Sequence, residues 1–263
     1  MISASDLSVR LGKKPVVHDV GFSAEAGAVT AIVGPNGSGK TTLMRALTGE
    51  LAYRGRVSIN GRDLPSLKTW ELAAMRAVLP QAARLSFPFT VREIVRLGLV
   101  SGRSGLRPGE NESIVEQALA RVDLAGFAGR FYQELSGGEQ QRVQLARVLC
   151  QVWRPVLDGV PRFLFLDEPV SSLDIRHQLA IMHIAREFAE AGGGVIAILH
   201  DLNLTAMFAD HVAVMHRGRL AAAGEPGTVM TDGLLETVFE CPLKIGATPP
   251  AGGLFVLPQS ALI

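Results

Sequence analysis

Val29-Thr30-Ala31-Ile32-Val33-Gly34-Pro35-Asn36-Gly37-Ser38-Gly39-Lys40-Thr41 decides the fold. Its first five residues are almost fully apolar and rich in β-branched side chains, as in a strand buried on both faces. The next eight match G-x-x-x-x-G-K-[ST]. Leu43, Ala46 and Leu47 then recur on one face of a helix that stops at Gly49. Strand, glycine-rich turn and helix together make a P-loop. The glycines let successive backbone N–H groups converge on one anion without Cβ clashes. The helix N-terminus adds its partial positive charge. Gly34, Pro35, Asn36, Gly37, Ser38, Gly39, Lys40, Thr41 and Thr42 are therefore the expected triphosphate cradle. Lys40 is set to reach the β- and γ-phosphates, and the Thr41 hydroxyl to hold Mg²⁺.

On the N-terminal side, Leu7 to Leu11 and Val16 to Phe22 read as strands around the turn Gly12-Lys13-Lys14-Pro15. Val57-Ser58-Ile59-Asn60-Gly61 is a strand entering an Asn-Gly hairpin turn. From about Thr69 to Gln151 the pattern is mostly helical. Thr90-Val91-Arg92-Glu93 is a capping box. Ile114, Val115, Ala118, Leu119 and Val122 recur at helical spacing, and Gly102, Gly105, Pro108 and Gly109 mark a loop between two helices. Later, Phe163 to Leu166 and Val195 to Leu199 read as buried parallel strands. The helix Ile175 to Ala191 lies between them, ended by Gly192-Gly193-Gly194. This alternation means α/β. Val212 to Met215 and Leu220 to Ala222 flank a further hairpin at Arg217-Gly218.

The composition limits the function classes. The chain has 263 residues, 48% hydrophobic and 19% charged, which excludes a disordered chain. A net charge of +1 gives no long-range pull on nucleic acid, and no nucleic-acid partner is expected. Two cysteines far apart, Cys150 and Cys241, fit a reducing compartment rather than a disulfide scaffold. No secretory signal is visible at Met1 to Asp6. No apolar run reaches the ~18–20 residues needed to cross a bilayer, so any work at a membrane goes through a partner.

Two further stretches carry chemistry. Phe163-Leu164-Phe165-Leu166-Asp167-Glu168-Pro169 is an apolar strand ending in two acids. Such an Asp is delivered to the crevice beside the P-loop, where Asp167 would hold Mg²⁺. Glu168 points elsewhere and is free to polarise an attacking water. Leu135-Ser136-Gly137-Gly138-Glu139-Gln140-Gln141-Arg142 contains an S-x-x-E capping box with two glycines in its first turn. Ser136, Gly137, Gly138 and Glu139 thus offer a second anion-binding helix start. One P-loop already cradles a triphosphate, so the second site needs a reason.

Nearly the whole chain resembles the ATP-binding subunit of ABC transporters, and Leu135 to Arg142 looks like their signature motif. The resemblance implies a P-loop NTPase α/β core of ABC type, with an N-terminal antiparallel β-subdomain and an inserted helical subdomain at 82–150. It also implies a single domain over 1–263 that ends in a C-terminal tail at 241–263. Gln81 is similar to the glutamine that senses the metal and couples to the membrane partner. Asp174, in Ser171-Ser172-Leu173-Asp174, resembles the D-loop aspartate, and His200 resembles the switch histidine at the γ-phosphate. By this resemblance Glu168, His200, Lys40 and Gln81 are catalytic, and Thr41, Gln81 and Asp167 hold Mg²⁺. Two copies pack head to tail, each ATP lying between one P-loop and the partner's signature helix.

The resemblance implies that those two copies serve a permease dimer at the cytoplasmic face of the inner membrane, and indirectly a periplasmic substrate-binding protein. The longer stretch Gln151 to Arg162 with Trp153 and Pro155, the Trp70 region and Leu254 to Pro258 resemble haemin importer ATPases. Importers of iron chelates or cobalamin, and soluble iron–sulfur-assembly ATPases, are the alternatives. One departure stands out. Val9, Arg10 and Leu11 fill the region where the family has an aromatic under adenine, so either aliphatic contact or Arg10 meets the base. Weak discrimination between ATP and GTP is expected, which nucleotide titration checks. His18, His177, His183, His211 and His216 read as surface or satisfied polar groups, Cys150 as a core filler and Cys241 as a structural cysteine before a turn.

Overall fold

The computed structural model describes residues 1–81, 87–100, 111–248 and 252–261. The N-terminal strands β1 (Ile2–Leu11) and β2 (Lys14–Ala24) pair antiparallel, and β1 also pairs with β4 (Arg54–Ile59). β4 turns into the short β5 (Arg62–Asp63) through Asn60 (φ 50°) and Gly61 (φ 75°). Two successive left-handed residues give the tight hairpin that the Asn-Gly pair favours. Between these strands come β3 (Val29–Val33) and α1 (Lys40–Leu47).

The second sheet has six strands in the order β12-β11-β3-β10-β9-β6. β6 (Arg76–Leu79), β9 (Phe163–Asp167), β10 (Gly194–Ile198), β3 and β11 (His211–His216) run parallel. β12 (Arg219–Gly224) returns antiparallel after Arg217 and Gly218, the expected hairpin. β3, β9 and β10 are buried at every residue, which is why their sequences are continuous apolar runs. Alternate side chains feed two separate cores. Ile32, Phe163, Phe165, Ile196 and Ile198 pack with β1, β2, β4 and α1. Val33, Leu164, Leu166, Val195 and Ala197 pack with the helical layer.

That layer holds α3 (Val91–Val100), α4 (Asn111–Arg121), α5 (Gly137–Gln151) and α6 (Ile175–Glu190). The Thr90 capping box forms as read: the Thr90 N–H and hydroxyl donate to Glu93 Oε2 at 2.7 and 2.8 Å, and the Glu93 N–H returns to Thr90 Oγ1 at 3.3 Å. α4 buries Ile114, Val115, Ala118 and Leu119. The glycine-rich loop read at Gly102 to Gly109 lies outside the described residues. Cys150 is fully buried in α5, where burial pushes its thiol up to about 12. Cys241 is exposed.

β6 is an addition to the helical reading of 69–151. It follows α2 (Thr69–Met75) directly and pairs parallel with β9. Ala77 and Leu79 are buried while Arg76 and Val78 are half-buried. The Gln151 amide donates to the carbonyls of Ala73 and Arg76, both at 2.9 Å, and fixes the helix-to-strand corner. Four residues are too few to show a periodicity of their own. The stretch Gln151 to Arg162 forms its own hairpin, β7 (Val156–Leu157) and β8 (Val160–Pro161), around Asp158 (φ 51°) and Gly159 (φ 75°). α7 (Leu202–Phe208), α8 (Pro226–Val229) and α9 (Asp232–Phe239) complete the order. Beyond them Lys244 pairs with Asp232 at 3.2 Å and Pro258 is buried. Among the described residues no helix is long and apolar enough to cross a membrane.

Candidate active site

The P-loop spans the gap between β3 and α1. Gly34 has φ 144°, and a Cβ there would overlap the Met215 carbonyl oxygen of β11. Gly37 (φ 75°) and Gly39 (φ 101°) are also left-handed, so side-chain-free residues are required on backbone grounds. The hairpin between β11 and β12 braces the loop from behind. Gly218 donates its N–H to the Ser38 carbonyl at 2.9 Å and accepts from the His18 N–H at 2.8 Å. Lys40 is only 5% exposed, and its Nζ donates to the Gly34 and Pro35 carbonyls at 2.8 and 3.0 Å. Burial lowers the Lys40 ammonium below its ordinary value, opposed by the charges of Glu168 and Asp167. The buried Ser38 hydroxyl has no protein partner, as suits a group waiting on a ligand oxygen. A cavity of about 250 Å³ opens beside Pro35 to Ser38, with His216, Arg217 and Glu240 on its far wall.

At the end of β9, Asp167 accepts from the Thr41 hydroxyl at 3.2 Å. Burial raises the Asp167 carboxyl; the Thr41 hydrogen bond opposes that and the Glu168 charge adds to it. Glu168 leaves the strand with φ 53°, a strained conformation for a non-glycine residue. The turn aims its carboxylate away from Asp167's partners and into two donors. His200 Nε2 lies 2.7 Å from Glu168 Oε1, and Gln81 Nε2 donates to Glu168 Oε2 at 2.8 Å. His200 stands just past β10, ahead of Asp201, which caps α7 through the N–H groups of Asn203 and Leu204. Three elements distant in sequence thus converge on one carboxylate. Glu168 thus meets Gln81 and His200, whereas Asp167 meets Thr41.

Ser136 caps α5. Its N–H and hydroxyl donate to Glu139 Oε2, both at 2.7 Å, and the Glu139 N–H returns to Ser136 Oγ at 3.4 Å. Those hydrogen bonds hold the Glu139 carboxyl below its ordinary value. Asp174 caps α6 through the His177 N–H. Among the described residues no hydrogen bond joins Ser136 to Glu139, or Asp174, to Gly34 through Thr42. The P-loop, Asp167, Glu168, Gln81 and His200 come together within one chain.

Gln141 escaped the sequence reading of a role. Its amide donates to the Glu168 carbonyl at 3.1 Å, so α5 grips the backbone of the strained residue. Only its place one turn into α5 could have signalled this. Near the first strand, Val9 is buried, Arg10 donates to the Lys13 carbonyl at 2.6 Å and Leu11 is exposed.

Residues 17–171 match the family described as ABC transporter. The chain belongs to that family. This ABC ATP-binding subunit is 67% identical over 262 residues to the hemin import ATP-binding protein HmuV of Mesorhizobium japonicum, covering 100% of both chains. It is 61% identical to the protein of the same name from Rhizobium meliloti, over 99% of each. Among solved structures it is similar to an ATP-binding subunit of an ABC transporter, with TM-score 0.77, 25% identity and coverage of 94% and 95%. It is likewise similar to a dimeric bacterial ABC transporter cassette, with TM-score 0.74, 25% identity and coverage of 86% and 99%. The family accounts for the P-loop as an ATP site.

Proposed function

We propose that this ABC subunit hydrolyses ATP to power haemin import through a separate membrane permease. Convergence of Gln81 and His200 on Glu168 carries the hydrolytic reading. The full-length likeness to hemin import ATP-binding proteins carries the cargo and disfavours the siderophore, cobalamin and iron–sulfur alternatives.

In this reading the P-loop amides and Lys40 bind the β- and γ-phosphates of ATP. Glu168 accepts a hydrogen bond from the attacking water and orients it in line with the γ-phosphorus. Gln81 and His200 fix the carboxylate, and His200 is the group assigned to the charge that develops on the γ-phosphate. The Thr41 hydroxyl, the Asp167 carboxylate and the Gln81 amide are hard oxygen donors of the kind Mg²⁺ takes. The Thr41–Asp167 contact of 3.2 Å sets two of them side by side. Bound Mg²⁺ would neutralise phosphate charge.

Ser136, Gly137, Gly138 and Glu139 serve the ATP of a second copy, with Asp174 at the same interface. ATP then touches both copies only in the closed homodimer, so its differential affinity drives closure. Residues 82–150 form a helical subdomain that passes this motion to the permease dimer, with Gln81 as its hinge. Residues 1–263 work as one ATP-binding unit with a C-terminal tail at 241–263, held peripherally at the cytoplasmic face of the inner membrane. A periplasmic haem-binding protein delivers the cargo.

Reconstitution with a haemin permease in proteoliposomes tests the proposal. Haemin uptake that needs ATP and is lost with Glu168→Gln is expected. ATP-driven uptake of another chelate but not haemin would replace the cargo; no ATPase activity at all would end the hydrolytic reading.

A further inference from the structure

Away from the phosphate cradle, Tyr53 and Arg76 line one cavity, and each carries a buried polar atom with no partner among the described residues: the Tyr53 hydroxyl and Arg76 Nε. The cavity holds about 320 Å³ between the end of α1 and the start of α2. Leu64, Leu67 and Leu72 give it apolar walls, and Gly49 lies against them. Gly49 has φ 76°, and a Cβ there would come 3.1 Å from the Leu64 side chain. Arg76 opens β6, and its terminal Nη2 donates to the carbonyl of Thr48, the C-cap of α1. That hydrogen bond holds the guanidinium in place and leaves Nε over. The eight residues of α1, roughly 12 Å of helix, separate this end from Lys40.

The charge of Arg76 is not answered by an ion pair among the described residues. Burial lowers its guanidinium below the ordinary value, opposed by the charge of Glu50, yet Glu50 pairs with Arg45 at 3.5 Å. The Tyr53 hydroxyl is raised by burial first and by the charge of Asp63 second. Asp63 in turn accepts two hydrogen bonds from Arg56, at 2.6 and 3.1 Å. Both neighbouring acids are thus engaged with other arginines. Arginine keeps its charge at any working pH. Its Nε–H only donates, and the phenol can donate beside it.

Buried polar atoms without a partner are costly, and a folded chain rarely keeps two on one cavity wall. Two orphaned donors, one of them on a cation, call for an anionic oxygen. Water or inorganic phosphate would satisfy the donors but leave the three leucines wet. A carboxylate on a short apolar chain satisfies both kinds of wall. The volume lies at the small end of the range for ligand pockets. We propose that this cavity binds a small monocarboxylate with an apolar body, its carboxylate held by Arg76 and Tyr53 and its chain set among Leu64, Leu67 and Leu72. The site is separate from the ATP site and does not depend on which cargo the subunit serves.

Isothermal titration calorimetry on the full-length chain tests it, with the P-loop saturated by ADP and Mg²⁺ so that no anion is read there. The probes are octanoate, its neutral isostere octanamide, and inorganic phosphate. Octanoate should bind once per chain, and octanamide more weakly by about tenfold or more, the scale for losing a hydrogen bond to a charged group. Phosphate, which has no apolar body, should bind more weakly than octanoate. Tyr53→Phe keeps the ring and removes one donor, so its affinity for octanoate should also fall by about tenfold. Since the same change deletes an orphaned buried hydroxyl, Tyr53→Phe without octanoate should melt no lower than wild type. A lower melting temperature would mean that the hydroxyl already has a partner, and overturns the proposal. So does octanamide or phosphate matching octanoate, or Tyr53→Phe matching wild type. No octanoate binding at millimolar concentration would mean that the cavity takes water only, and overturns it as well.

Discussion

Asp167 is 5% exposed, and burial raises its carboxyl above the ordinary value. A folded-state value above the unfolded one gives stability that is fully present at acid pH and lost as pH rises through the folded value. At neutral pH the ionised Asp167 is therefore a net cost to the fold, kept for the charge it offers beside Thr41. Asp167→Asn preserves an oxygen for the Thr41 hydroxyl and removes that cost. The variant should melt above wild type at pH 7.5, and the gap should close on acidification below the usual carboxylate range, as read by thermal denaturation. Its ATPase activity should fall at the same time by roughly 100-fold, the scale for losing one preorganised electrostatic contact. A variant that melts lower at pH 7.5 would show that the hydrogen bond outweighs the burial.

Among the elements, α3 and α5 cross closely at Gly98. A Cβ there would overlap the Arg147 carbonyl oxygen of α5 and press on Cys150. Helix backbone offers no flexible side chain to yield, so Gly98→Ala should destabilise by about 1–3 kcal/mol. A drop of several degrees in melting temperature checks this. The same scale separates what the chain discloses from what it hides. β3, β9 and β10 were legible because burial on both faces makes their sequences continuous, and the P-loop because anion binding demands glycine at fixed places. The Asp158-Gly159 hairpin was visible only as extra length, and β6 was absorbed into a helical run because four residues carry no period. At the site, Gln81 and His200 have no intrinsic pattern. They stand 87 and 32 positions from Glu168 or near it only after folding, so resemblance named them and geometry gave them their partner. Gln141 had neither guide.

For the whole molecule, the lack of any hydrogen bond between the Ser136 cap and the P-loop among the described residues sets a test of assembly. If each ATP is held by one chain's P-loop and the other's α5, Glu168→Gln with ATP and Mg²⁺ should sediment as a dimer. The same protein without nucleotide, or with Ser136→Arg added, should sediment as a monomer. Analytical ultracentrifugation distinguishes these states. A Glu168→Gln chain that stays monomeric under saturating ATP would remove the need for the second anion site.

The strand that feeds the P-loop has both its neighbours late in the chain: β3 is flanked by β10 and β11, and Ser38 is tied to Gly218. Residues 29–41 leave the ribosome some 165 to 180 residues ahead of the walls that shape them. A nascent chain halted before the β11–β12 turn would carry the whole glycine motif and still lack a formed anion cradle. Competence for nucleotide is thereby deferred until β10, β11 and the turn after them have been made.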